Sequence, residues 1–280
     1  LSTGYMHNLK EFAEHPKFHF TEGDIRDWDT CLRASEGIDL ISHQAALGSV
    51  PRSIKDPLTT NAVNIEGTLN IFYAAVENKV KRVVFAASSS TYGDSEGLPK
   101  VEQIIGRPLS PYAVTKYVNE LYADVFVKSY GFEYIGLRYF NVFGPKQDPN
   151  GAYAAVIPLF FKAAIDGNGP LINGDGTNSR DFTYVDNAVE ANILGLFTEN
   201  KEAVNQVYNI ACGERTTLNE LWQRIKSVTN CAADAMHGPN RSGDILHSLA
   251  SIEKAKNLLG YSGKVKLKEG LEKSFKFYKD

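Results

Sequence analysis

The sequence predicts an α/β fold, with a doubly wound parallel sheet and a smaller C-terminal layer. Two observations carry this. Short, nearly continuous apolar runs end in small or polar residues, as strands covered on both faces do. Between them lie stretches with apolar residues at three- and four-residue spacing, the period of a helix. Alternation of the two implies parallel strands, and right-handed crossovers put helices on both faces. At 280 residues, 43% hydrophobic and 22% charged, the chain has ample material for a core.

Taken in order, "KFHF" (17–20) is a short strand-like run ahead of "GDIRD" (23–27). "DLISHQAA" (39–46) and "RVVFAASSS" (82–90) read as buried parallel strands. "YIGLRYFNVFG" (134–144) reads as a third and "VYNIA" (207–211) as a fourth. A helical pattern fills 56–79, with Pro57 near its start. Another fills 110–131, where Ser110 suits an N-cap, Pro111 the first turn and Gly131 a stop. After Gly144 the texture changes to the Pro/Gly-rich "GPKQDPNG", a helical "AAVIPLFFKAAIDG", the turn-rich "NGDGTNSRDF" and further helices. This part reads as a second, smaller layer able to close over a ligand.

Composition excludes several classes. A formal net charge of -3 points to neither nucleic acid nor an anionic membrane. Cys31, Cys212 and Cys231 are few, odd in number and unclustered, so they read as free thiols of a reducing, cytoplasmic compartment. No apolar run approaches the roughly 20 residues of a membrane span, and no signal-peptide pattern opens the chain. The six histidines are scattered, so no metal site is expected, and His43 reads as a packed strand residue.

Two segments carry chemistry. Ser88, Ser89 and Ser90 lie at the carboxyl end of a predicted strand, the edge at which open α/β sheets bind ligands. In "SPYAVTKY", Tyr112 and Lys116 stand four residues apart, on one face of a helix. Alone, that spacing is an ordinary helix surface. A strand-end serine and a helix bearing Tyr-x-x-x-Lys can, however, converge on one point. A phenol near pKa 10 is a poor base at neutral pH. An adjacent ammonium such as Lys116 is expected to lower that value.

Strand–Ser…Tyr-x-x-x-Lys, taken with "GDIRD", "HQAA", "RYFNVFGP" and "GDGTNSRDFTYVDN", resembles the extended short-chain dehydrogenase/reductase family along the whole chain. Within it the pattern is most similar to the nucleotide-sugar epimerases, bacterial UDP-N-acetylglucosamine 4-epimerases in particular. The resemblance implies a Rossmann-like sheet over 1–142 plus about 183–211 that holds NAD. It implies a mixed α/β nucleotide-sugar domain over 143–182 and 212–280. It also implies a homodimer paired through the long helices that begin near Leu58 and Tyr112.

The resemblance assigns roles residue by residue. Ser88, Tyr112 and Lys116 would be catalytic. Asp24 and Ile25 would reach the adenine, Gln44 and Ala45 would border the cofactor, and Tyr139 would flank it. Gly48, Ser49, Ser88, Ser89, Asn141, Ala155, Val156, Arg180, Arg241 and Asp244 would contact the UDP-sugar. The two arginines suit the diphosphate, since a guanidinium pairs bidentately with phosphate oxygens. Asp181 and Asp186 would be structural, holding the loop and capping the next helix.

The chain also departs from the family. Val63 occupies a cofactor-contacting Thr/Asn position, with Asn64 an uncertain substitute. Leu246 and Ser251 replace an arginine and an aspartate. Family members that eliminate water or decarboxylate carry an acid just after the active Ser/Thr. Ser89 and Ser90 stand there, which favours simple epimerisation.

The implied reaction is NAD-dependent C4 epimerisation of a UDP-N-acetylhexosamine through a 4-keto sugar. Against it, no G-x-G-x-x-G or G-x-x-G-x-x-G occurs anywhere. The first βαβ unit is thus expected to be absent, and the chain to be a piece of a longer protein. The alternatives are a non-catalytic fragment that binds UDP-sugar, or an epimerase of UDP-glucose/galactose or a UDP-uronic acid.

Overall fold

The protein is described by a computed structural model covering residues 4–239 and 246–279. Chain order runs α1 (Trp28–Ala34), β1 (Leu40–His43), α2 (Val50–Lys55), α3 (Pro57–Asn61), a π-helical turn (Ala62–Glu66) and α4 (Gly67–Glu77). It continues with β2 (Arg82–Ser88), a 3-10 turn (Ser89–Tyr92), α5 (Pro111–Tyr130), β3 (Tyr134–Tyr139), β4 (Val142–Phe143) and α6 (Val156–Ile165). Then come β5 (Leu171–Asn173), β6 (Ser179–Arg180), β7 (Thr183–Tyr184), α7 (Val185–Phe197), β8 (Gln206–Ile210) and β9 (Thr216–Thr217). The last elements are α8 (Leu218–Thr229), β10 (Met236–Gly238), α9 (Glu253–Leu259) and α10 (Leu267–Lys279).

The main sheet has four parallel strands in the order β1-β2-β3-β8. Alternation along β2 sorts its side chains to two faces. Val83 and Phe85 point into a cluster with Phe72 of α4 and Ala123 and Phe126 of α5. Val84 points the other way, with Ile135 and Leu137 of β3, toward Ala191 of α7 and Leu259 of α9. Helices therefore cover both faces, as the doubly wound prediction required. A third apolar cluster is built from Phe143, Phe161, Tyr184, Trp222 and Leu271, all but Phe143 beyond the point where the sequence changes texture. Among the described residues, no helix is long and apolar enough to cross a membrane.

Two predicted strands differ from expectation. The run 17–20 forms no strand. An extended segment becomes a strand only when a neighbour completes its ladder, and none pairs with it among the described residues. The run 134–144 is not one strand but two. Asn141 adopts a left-handed φ of 35°, which asparagine tolerates better than most residues. The chain turns out of the sheet there, and Val142–Phe143 pairs with Thr183–Tyr184 instead.

Helix α5 matters most for the site. Ser110 Oγ accepts from the Ala113 N–H at 3.1 Å, Pro111 occupies the first turn, and Gly131 closes the helix at φ 68°. Its buried residues are Ala113, Thr115, Lys116, Asn119, Glu120, Ala123 and Phe126. Four polar side chains on a core-facing stretch are costly unless each is satisfied, so they mark where the helix does more than pack.

Candidate functional site

The carboxyl edge of the sheet gathers the sequence-predicted residues. Ser88 ends β2, is nearly buried, and its hydroxyl lies close enough to Tyr112, in the first turn of α5, to favour the phenolate. One turn on, Lys116 is buried beneath and donates from Nζ to the Ala86 carbonyl at 2.7 Å. Serine, tyrosine and lysine from two distant segments thus meet as predicted.

The electrostatics differ from the expectation. Burial pushes the Tyr112 phenol above its ordinary value, and the hydrogen bond from Ser88 opposes that shift. Lys116 supplies no lowering in this state: its amine faces Ala86, and burial draws its own pKa down to about 8. With a pKa of about 8 the amine still carries most of its charge at neutral pH, and that charge is directed at the Ala86 carbonyl and not at the phenol.

His43 packs behind Lys116, as a strand residue rather than a ligand. Its Nε2 pairs with Thr68 Oγ1 at 3.0 Å, and Thr68 also accepts from Asn119 Nδ2 at 3.2 Å. Burial first, and the Lys116 charge second, hold its pKa down at about 3, against 6.5 ordinarily. The unfolded imidazole takes a proton near pH 6.5 and the folded one does not. His43's contribution is therefore full above that pH and is lost as pH falls toward 3. Replacing His43 by Gln should give a stability difference from wild type that shrinks by about 1.4 kcal/mol per pH unit in that window. Denaturant midpoints at several pH values check this, and a pH-independent difference would contradict a neutral buried imidazole.

Around this centre the other predicted residues fall into groups. Tyr139 Oη donates to Gln44 Oε1 at 3.0 Å and accepts from Asn192 Nδ2 at 2.7 Å, while Gln44 Nε2 donates to Asn192 Oδ1 at 2.9 Å. Burial lifts Tyr139 to about 12, so this ring stays neutral. Ala45 is exposed in the loop after β1. In the same loop an added Cβ at Gly48 would meet nothing within 4 Å. Ser49 has φ 91°, and its hydroxyl caps α2 through the Arg52 N–H at 3.2 Å. Ser89 lies half-exposed in the 3-10 turn.

Asn141, Ala155, Val156 and Arg180 line one cavity of about 660 Å³ with Phe182 and Leu218. Arg180 Nη1 donates to the Ser179 and Leu246 carbonyls at 3.0 and 3.3 Å. Arg241 and Asp244 lie outside the described residues.

Asp24 and Ile25 sit apart from these groups. The Asp24 carboxylate is gripped by Arg26, which holds its pKa at about 2. Ile25 lies against α4, where an added Cβ on Gly67 would stand 2.6 Å from its side chain. Asp181 is structural, as expected: its carboxylate accepts from the backbone N–H groups of Cys212, Gly213 and Ala250. Asp186 does not cap α7, whose N-cap Tyr184 makes no side-chain bond. It lies in the first helical turn and pairs with Lys273 at 3.5 Å instead.

Sequence reasoning missed a clamp. Asn64 is fully buried in the π-helical turn. Its amide accepts from Leu47 N at 2.7 Å and donates to Leu47 O and Thr115 Oγ1, each at 3.1 Å. It therefore ties the loop after β1 to the helix bearing Tyr112. The extra residue of a π turn aims the amide inward, a device frequent at functional sites. The available signal was a polar residue on the apolar face of a helical pattern.

The parallel sheet with this strand-end constellation defines a Rossmann-like protein of the short-chain dehydrogenase/reductase type. Over residues 4–211 the chain matches the NAD dependent epimerase/dehydratase family, and it belongs to that family. NAD is the cofactor of this family.

A putative UDP-glucose 4-epimerase of Methanocaldococcus jannaschii is 34% identical, with 100% of this chain aligned to 88% of that protein. Among solved structures, a UDP-N-acetylglucosamine 4-epimerase from Methanobrevibacter ruminantium in complex with UDP-N-acetylmuramic acid is 40% identical. It superposes with a TM-score of 0.94 over 99% of this chain and 88% of that one. A UDP-glucose 4-epimerase from Thermus thermophilus in complex with NAD is 32% identical, with a TM-score of 0.88 over 99% of this chain and 88% of that one.

Proposed function

We propose that this chain catalyses C4 epimerisation of a UDP-N-acetylhexosamine with NAD as cofactor. The single observation that carries the proposal is the placement of the Ser88 hydroxyl at the end of β2 beside the Tyr112 phenol, with the buried amine of Lys116 one turn on at Ala86. That arrangement suits proton removal from a secondary alcohol. The substrate class rests on the UDP-N-acetylglucosamine 4-epimerase at 40% identity. The absence of an acid at Ser89 and Ser90 disfavours dehydration and decarboxylation.

The donor set suits the nicotinamide half of the cofactor. Lys116 Nζ spends one proton on Ala86 and has others for ribose hydroxyls, with the neutral Tyr139–Gln44–Asn192 ring nearby. The adenine half is less well provided, because Asp24 is committed to Arg26. NAD, when bound, supplies the hydride acceptor and donor for the sugar carbon.

The chain's own residues do the rest. Tyr112 Oη takes the proton of the C4 hydroxyl and later returns it. Ser88 Oγ hydrogen-bonds the same oxygen and steadies its developing charge. Arg180 and the start of α6, at Ala155 and Val156, hold the diphosphate and nucleotide in the neighbouring cavity. Its volume is within the range of small-molecule sites. Residues 1–142 with about 183–211 would form the cofactor domain, and 143–182 with 212–280 the sugar-nucleotide domain. Val114, Leu121 and Val125 leave an exposed apolar stripe on α5, suited to pairing two copies of the chain.

A second reading keeps the enzyme and changes the sugar to UDP-glucose, favoured by the relative at 34% identity. Incubation of the chain and NAD with each UDP-sugar, followed by separation of the C4 epimers, decides between them. The expected result is faster conversion of UDP-N-acetylglucosamine. Faster conversion of UDP-glucose would sink the substrate assignment. NAD binding without conversion of any UDP-sugar would sink the epimerase reading.

A further inference from the structure

A second serine stands behind Ser88. We infer that Ser90 is a positioning residue: it occupies both acceptor positions of Ser88 Oγ, leaving Ser88 able only to donate toward Tyr112 and the sugar oxygen. This rests on the epimerase reading above.

The geometry is local and specific. Ser88 is the N-cap of the 3-10 turn, and its Oγ accepts from the Ser90 N–H at 3.1 Å. The Ser90 hydroxyl donates to the same oxygen at 2.8 Å. A serine hydroxyl has two lone pairs and one proton. With both lone pairs engaged, only the proton of Ser88 remains, and the neighbouring Tyr112 phenol is placed to receive it. The turn is held in turn by Thr91, fully buried, whose Oγ1 donates to the Ser88 carbonyl at 2.8 Å. The backbone N–H cannot reverse its direction, so the Ser90 hydroxyl is the one adjustable member.

The consequence concerns the path of the proton. A relay through Ser88 would require its oxygen to accept a proton while giving one up. With both acceptor positions filled, that route is closed. The sugar O–H bond breaks, its proton passes directly to the Tyr112 phenolate to form the Oη–H bond, the hydride of the same carbon would leave to NAD, and Ser88 keeps its own proton throughout. Ser88 then acts as a fixed donor to whichever oxygen carries negative charge, which is worth most when preorganised.

Two readouts test this on the chain and its Ser90→Ala, Ser90→Thr and Ser88→Ala variants. One is the pH dependence of kcat and KM with UDP-N-acetylglucosamine and NAD. The other is the phenolate absorbance of Tyr112, isolated by subtracting the titration of Tyr112→Phe, and it needs no turnover. Ser90→Ala should lower kcat about tenfold, the worth of one ordinary hydrogen bond, with KM unchanged. The Tyr112 titration should move to higher pH, and Ser90→Thr, which restores the hydroxyl, should restore both.

Wild-type titration and turnover in Ser90→Ala would overturn the inference. So would failure of Ser90→Thr to rescue, since the hydroxyl would then not be the active group. If Ser88→Ala also leaves the Tyr112 titration unmoved, the Ser88–Tyr112 pair itself fails, and with it the epimerase reading. If the chain shows no turnover, the titration alone still decides for or against Ser90.

Discussion

Replacing Tyr112 by Phe should lower epimerisation by about 10²–10⁴-fold, the range for loss of a positioned acid–base group, while UDP-sugar binding survives. The substitution removes one oxygen and keeps the ring. Tyr112 meets the site through that oxygen, which lies beside the Ser88 hydroxyl. The cavity of Asn141, Ala155, Val156 and Arg180 is formed by other segments and should be unaffected. A fall in kcat at constant KM is therefore the expected pattern, since the lost interaction acts on the reacting oxygen and not on the nucleotide. Initial rates and calorimetric titration with the UDP-sugar measure the two quantities separately. Unchanged turnover would remove Tyr112 from the reaction.

The same comparison bears on how the phenol is activated. In this state burial raises the Tyr112 pKa, and only the Ser88 hydrogen bond opposes it. Lys116, drawn down to about 8, is directed at Ala86. A tyrosine so placed is a proton holder before it is a base. A positive charge beside the phenol would favour the phenolate.

What was legible in the sequence, and what was not, follows a physical divide. A continuous apolar run gave β2 because burial on both faces leaves a strong one-dimensional trace. Ser110, Pro111 and Gly131 gave both ends of α5 because caps are chemical and local. The turn at Asn141 left no such trace, since its left-handed backbone serves a pairing of Val142–Phe143 with a segment far along the chain. The strand expected at 17–20 failed for a related reason: pattern reports the fitness of a segment for a sheet, not the presence of its neighbour.

The site divides similarly. Ser88, Tyr112 and Lys116 were readable because a residue type at a strand end and a fixed helical spacing can be seen in one dimension. The contacts of Asn64, Asn192 and Ser90 were not, although Asn64 and Ser90 were noted by position, because their role lies in whom they touch. Asn64 looks like a helix polar residue until the π turn directs it at Leu47 and Thr115. Asp24 was visible through its motif, and what the structure adds is that Arg26, two residues on, holds its carboxylate. Asp186 was visible as a helix-start acid, and Lys273 on α10 was not.

Glu120→Ala should destabilise the fold by about 3–5 kcal/mol, the cost of stranding one member of a buried ion pair. Glu120, on the core face of α5, accepts from Arg138 Nε at 2.9 Å and Nη2 at 2.6 Å. Arg138 lies on β3, and both side chains are nearly closed to solvent, at 7% and 3% exposure. Without Glu120, the guanidinium keeps one bond to the Glu102 carbonyl at 3.0 Å and a position 5.0 Å from the Tyr92 ring centre. Those contacts do not neutralise a charge. A cavity of about 740 Å³ adjoins the pair, and water entering it would soften the loss. The low exposure of both side chains argues that this relief is small. Because the pair joins α5 to the sheet, Tyr112 should also be held less firmly, so turnover should fall with stability. Urea midpoints measure the first effect and initial rates the second. The double variant Glu120→Leu with Arg138→Met should recover most of the lost stability, since it removes both charges and keeps the volume. A loss below about 1 kcal/mol in Glu120→Ala, the scale of an exposed pair, would mean that the charge on Arg138 reaches water.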